Sequence, residues 1–93
     1  MNEGKEQIVL RLENLVRKVK VQTQDSGDVE CRIFPPLTHG NPYIIEVSHE
    51  KYVRRVSADL LTVQNLDLGH PDPMLMRDLR TAILAVTRLS RRR

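Results

Sequence analysis

One cysteine, no tryptophan and three aromatic residues among 93 positions set the first limits on this chain. With Cys31 alone, no internal disulfide framework can form, and such cysteine usage fits a reducing compartment. With only Phe34, Tyr43 and Tyr52 as rings, the core has to be aliphatic, and a stacking platform for single-stranded nucleic acid is thin. The four glycines, Gly4, Gly27, Gly40 and Gly69, stand apart from one another, so no glycine-rich phosphate loop is present, and neither is a G-x-S-x-G pattern. The opening MNEGKEQ is polar, and no apolar run has the length of a signal peptide or a membrane span. A cytoplasmic protein with no membrane partner is expected.

Histidines are also few and far apart. His39, His49 and His70 lie ten and twenty-one residues apart, which is no usual zinc spacing. Asp67, His70 and Asp72 form the tightest cluster, but His70 precedes Pro71 in a connecting loop and Asp72 is placed to cap a helix, so a structural use outweighs a base. Pro71 and Pro73 remove amide donors from that helix start, and Asp72 would repel an anion there. No enzymatic activity is expected, and no catalytic, cofactor-binding or metal-binding residue is assigned.

What the chain does have is one strong helix pattern near its end. In PDPMLMRDLRTAILAVTRLSRRR, residues Leu75, Leu79, Ala82, Val86 and Leu89 recur at steps of four, three, four and three, flanked by Met76 and Ile83. Asp72 is a good N-cap, Pro73 fits the first helical position, and Arg88 and Arg91 to Arg93 suit the C-terminal end of the dipole. Leu84 falls seven residues after Arg77 on the polar side, where it is either exposed or covered by a partner. Residues 77–93 carry a net charge of +5 and residues 1–76 a net charge of −2, so the high isoelectric point belongs to this helix and not to the whole surface.

From the N-terminus, Ile8, Leu12, Leu15 and Val16 predict a first helix over residues 3–17, with Asn2 able to cap it. At Lys18 the spacing turns to alternation, and Val19, Val21 and Thr23 predict a strand over 18–24. Residues 25–28 carry turn chemistry. Val29, Cys31 and Ile33 predict a second strand over 29–34, hairpin-paired with the first, and Cys31 is expected as a buried thiol. Three prolines and Gly40 make 35–42 a loop. Tyr43, Ile45 and Val47 predict a third strand over 43–47. Val53, Val56, Leu60 and Val63 then predict a helix over 49–64 capped by Ser48, although the β-branched residues leave room for a sheet extended through Tyr52 and Val53.

The expected architecture is a single small α+β domain over residues 1–93: a helix, a three-stranded antiparallel sheet, then two helices packed on one face of the sheet. The order helix, three strands, helix is similar to that of the double-stranded RNA-binding module in topology alone. That module has basic residues at the start of its final helix, whereas this final helix opens Asp72-Pro73-Met74 and holds its arginines at the far end. The leading functional expectation is a protein-interaction or homodimerising module that uses the apolar surface of the C-terminal helix. Met74, Leu84 and Ile44 are its candidate contacts, because they are hard to bury together. The alternative expectation is weak, salt-sensitive nucleic-acid binding through Arg54, Arg55, Arg88, Arg91, Arg92 and Arg93.

Overall fold

In α1 (Glu3–Gln22) the apolar positions Leu12, Leu15, Val16 and Val19 are spaced three, one and three residues apart and are all buried. The computed structural model describes residues 3–23, 28–38, 40–59, 61–63 and 73–91, and within them α1 runs through the segment whose alternation predicts a strand. The strand expected over 18–24 is therefore corrected over 18–22, with residue 24 outside the described residues: Val19 is buried, but Val21, two residues or about 200° further around the helix, is 82% exposed. The helical stripe continues from Leu12 to Thr23 and wins over the local alternation. Thr23 closes the helix, its amide donating to the Lys20 carbonyl at 3.1 Å and its hydroxyl to the Val19 carbonyl at 2.8 Å.

The sheet has three antiparallel strands in the order β1 (Glu30–Phe34), β2 (Tyr43–His49) and β3 (Tyr52–Ala58). The helix expected over 49–64 is corrected over 49–58, which take the extended-sheet alternative and form the hairpin of β2 and β3, with His49 opposite Tyr52 across the two-residue loop Glu50-Lys51. Residues 61–63 are helical, and 60 and 64 lie outside the described residues. The three-four-three spacing of Val53, Val56, Leu60 and Val63 is incidental to this arrangement. Along β3, Val56 and Ala58 face the core while Arg54, on the same face, is exposed. An edge strand half covered in this way shows no clean alternation.

Glu50 adopts φ 56°, a left-handed conformation in which a side chain costs about 1 kcal/mol and glycine costs little. Replacing Glu50 by Gly is expected to stabilise the protein by about 0.5–1 kcal/mol. The check is a urea titration in which the midpoint rises while the slope stays constant. An unchanged midpoint would mean that the hairpin closes without strain at this residue.

After β3, Asp59 caps α2, whose described residues are 61–63: the Thr62 amide donates to Asp59 Oδ1 at 2.8 Å and the Val63 amide to the Asp59 carbonyl at 3.0 Å. Hydrogen bonds from the Thr62 amide and from its side chain hold the Asp59 carboxyl below the usual carboxylate range. The final helix α3 (Pro73–Arg91) follows the expected stripe, with Leu75, Leu79, Ala82, Ile83 and Val86 buried. Thr87 joins them, its hydroxyl donating to the carbonyls of Ile83 and Leu84 at 3.0 Å.

Both long helices lie on the face of the sheet that carries Tyr43, Ile45, Val47, Val56 and Ala58. There α3 packs on β2 and β3, and α1 packs on α3 and β1. The class is α+β, as expected, but the strands that make the sheet are 30–34, 43–49 and 52–58. No described helix is long and apolar enough to cross a membrane.

Candidate functional site at the edge of the sheet

The length of α1 decides where β1 lies in the sheet. If residues 18–24 were a strand, 29–34 would lie in the middle of the sheet. With residues 18–22 belonging to α1 instead, β1 is an edge, paired only with β2 among the described residues.

Backbone geometry then specifies which groups that edge presents. A two-residue hairpin loop is closed by a pair that exchanges both of its hydrogen bonds, and such pairs alternate along an antiparallel ladder with pairs that exchange none. Starting from His49 and Tyr52, residues 49, 47, 45 and 43 of β2 bond to β3, and 48, 46 and 44 bond to β1. In the register Glu30↔Ser48, Arg32↔Glu46, Phe34↔Ile44, the amides and carbonyls of Glu30, Arg32 and Phe34 are consumed by β2. Those of Cys31 and Ile33 point away from the sheet. Val29 has the same parity, and its carbonyl accepts a bond from Lys20 Nζ at 2.7 Å instead of joining the ladder.

The side chains of Cys31 and Ile33 face the helices, and α1 leaves them half-buried. Together with Glu13, Val16, Arg17 and Lys20 they line a groove of about 260 Å³ between α1 and the strand. Burial raises the Cys31 thiol above its ordinary range, and the Lys20 ammonium opposes that shift in part. The sequence predicts a buried thiol facing the core; Cys31 does pack against the core but is only half-buried, because its strand is an edge.

The opposite face of the sheet bears no helix among the described residues. Three rows cross it: Phe34, Ile44 and Ser57; then Arg32, Glu46 and Arg55; then Glu30, Ser48 and Val53. In the middle row Arg55 Nε lies 3.3 Å from Glu46 Oε2. Phe34 and Val53 are each 44% exposed, and Ile44 between the outer strands is half-buried.

Among the described residues, those singled out from the sequence do not gather here or elsewhere as one site. Ile44 is on the open sheet face, while Met74 and Leu84 belong to α3 on the other side. Met74 is 61% exposed and Leu84 is half-buried, and they stand ten residues, or about 15 Å of helix, apart. The three are not a common patch, so the apolar surface expected to involve them together is not assembled. Of the basic candidates, Arg54 and Arg55 fall on opposite faces, and Glu46 neutralises Arg55. Arg88 is exposed on α3, Arg91 is its last residue, and Arg92 and Arg93 lie outside the described residues, as do Asp67, His70 and Asp72. The start of α3, Pro73-Met74, offers no cation before Arg77.

Sequence reasoning missed the residues that do come together: Glu13, Val16, Arg17 and Lys20 on α1, and Cys31 and Ile33 on β1. One signal was present, since Leu12, Leu15, Val16, Val19 and Thr23 continue a single helical stripe, and following it would have exposed the edge of β1. Among the described residues no three His, Cys, Asp or Glu side chains gather as metal ligands. Comparison of the chain with family models, with curated proteins and with solved structures finds no match.

Proposed function

We propose that this protein is a small association module whose working surface is the free edge of β1 with the groove beneath α1. A partner segment in extended conformation adds to the sheet as a further strand. It bonds to the amides and carbonyls of Cys31 and Ile33 and lays every second side chain against Val16, Cys31 and Ile33. The observation that carries this reading is the pairing of unspent backbone groups with an adjoining groove that is apolar at its floor and charged at its rim by Glu13, Arg17 and Lys20.

The test uses the one donor that the partner needs and the ladder does not. In Ile33→Pro the lost N–H faces outward, so the β1–β2 bonds survive and proline is tolerated on an edge. A heptapeptide library panned against the wild-type protein should yield sequences with alternating apolar residues that shift the amide resonances of Cys31 and Ile33. Those peptides should lose binding to Ile33→Pro by about tenfold or more. Peptides that bind Ile33→Pro as well as the wild type would place the working surface elsewhere.

A further inference from the structure

The charge pattern of the edge strand identifies the partner. We propose that the occupant of this site is a second copy of the chain, paired β1 to β1 about a two-fold axis at Cys31, so that two three-stranded sheets become one continuous sheet with all helices on one side. The inference rests on the reading of the site given above and adds the identity of its occupant.

A two-fold axis perpendicular to the sheet keeps both helix layers on the same face and makes the two copies of β1 antiparallel. Residues directly opposite one another then share a face. Within β1 the axis has three positions to consider. At Arg32 it would oppose Arg32 to its own copy at the close spacing of a non-bonded pair, a like-charge contact. At Ile33 it would set Cys31 against Pro35, which has no amide to give. At Cys31 it sets Cys31 against Cys31, a bonded pair that uses the outward amide and carbonyl of each. It also sets Glu30 against Arg32 of the other copy, twice. Val29 meets Ile33 on either side, and the Val29 carbonyl, already holding Lys20, has a second lone pair for the Ile33 amide. Opposite charges placed symmetrically about an outward-bonding residue are what an antiparallel copy of the same strand requires.

The helix side carries the same symmetry. Lys20 is level with the start of β1, where it reaches Val29, and Glu6, Val9 and Leu10 are level with Pro35, so α1 runs antiparallel to the strand. Glu13 lies seven residues before Lys20, about 10 Å along α1, which corresponds to about three strand residues and brings it near Arg32 and Ile33. A rotation about Cys31 carries the level of Val29 to that of Ile33, so Lys20 of each copy meets Glu13 of the other. Arg17 stands near the axis, where it faces its own copy, and it is the one residue of the groove that opposes the pairing. The half-buried Cys31 and Ile33 become covered.

The experiment is sedimentation equilibrium on the full chain, with circular dichroism to confirm that each variant is folded. Wild type is expected to dimerise with rising concentration. Glu30→Arg and Arg32→Glu each create two like-charge oppositions per dimer and should each weaken self-association by about tenfold or more. Mixed together, the two variants should associate with one another, because positions 30 and 32 are then both positive in one copy and both negative in the other. Arg17→Gln should tighten the wild-type dimer. Because Arg32→Glu also stands beside Glu46 and could unfold, Ile33→Pro serves as the second disruptor and should sediment as a folded monomer. A wild-type protein that stays monomeric throughout, or a dimer indifferent to both charge variants, overturns the second copy as occupant. In either case the heptapeptide result at Cys31 and Ile33 decides the association reading separately.

Discussion

Leu79→Ala is expected to destabilise the protein by about 3–5 kcal/mol, against a total for a chain of this length of about 5–14 kcal/mol. Leu79 has no exposed surface and lies on α3 where that helix packs on β2 and β3, in the same cluster as Ile45, Val47, Ile83 and Val86. Removing its isobutyl group forfeits the transfer energy of the lost carbons and leaves a cavity that the neighbours fill only in part. Those neighbours are poorly suited to relaxing. Val47, Val56 and Val86 are β-branched and stiff at χ1, and the only ring in the core cluster with little exposure is Tyr43. The same truncation at Leu89 or Leu84, both half-buried, should cost well under half as much. Urea titration followed by far-ultraviolet circular dichroism makes the comparison directly. Equal losses at Leu79 and Leu84 would mean that α3 meets the sheet through a different stripe.

The last helix is legible in the sequence because its pattern is long and unopposed: from Leu75 to Arg91 one period holds with no competing alternation. The strands expected over 29–34 and 43–47 are found at 30–34 and 43–49, and they are legible because Cys31 and Ile33, like Tyr43, Ile45 and Val47, alternate toward one covered face. The last two residues of β2 fall where the sequence predicts the start of a helix. The remaining strand and the end of the first helix are places where two periods coexist over few residues. In 18–24 the β-branched Val19, Val21 and Thr23 alternate, yet Val19 and Thr23 are also four apart and extend the stripe of Leu12, Leu15 and Val16. In 52–58 the helix-like spacing of Val53 and Val56 is real, but Arg54 occupies a core-side position at the rim of an edge strand, and the turn before it is Glu50-Lys51 rather than a glycine or asparagine pair. Neither the turn type nor the rim position has a local signal.

These two local ambiguities decide the candidate site as a whole. Edges belong to topology, and a segment's own sequence is the same whether it is central or peripheral. A strand over 18–24 would place 29–34 between two neighbours, satisfy both sides of its backbone and send Cys31 into the core. Met74, Leu84 and Ile44 would then stand out as the residues hardest to bury, though the structure leaves them on separate surfaces. Once α1 is extended to Gln22, β1 loses a neighbour and gains a groove, and Lys20 moves from a sheet face to the Val29 carbonyl.

The two readings of residues 18–24 make opposite demands on a pair of substitutions, and the pair is also the second large effect to be expected. In a strand, Val19 and Val21 share a face, so Asp at either position would bury a carboxylate and the losses would be similar. In α1 they are about 200° apart, and Val19 is 2% exposed while Val21 is 82% exposed. Val19→Asp therefore places an unpaired charge among Leu15, Val16 and the sheet, with an expected loss of about 4 kcal/mol or more, enough to leave much of the protein unfolded. Val21→Asp stays in water. Its penalty comes only from a negative charge near a helix C-terminus and should not exceed about 1 kcal/mol. Thermal unfolding of the two variants separates these outcomes without any knowledge of the partner. Comparable losses at both positions would restore the strand, return β1 to the interior of the sheet and remove the edge on which the association reading depends.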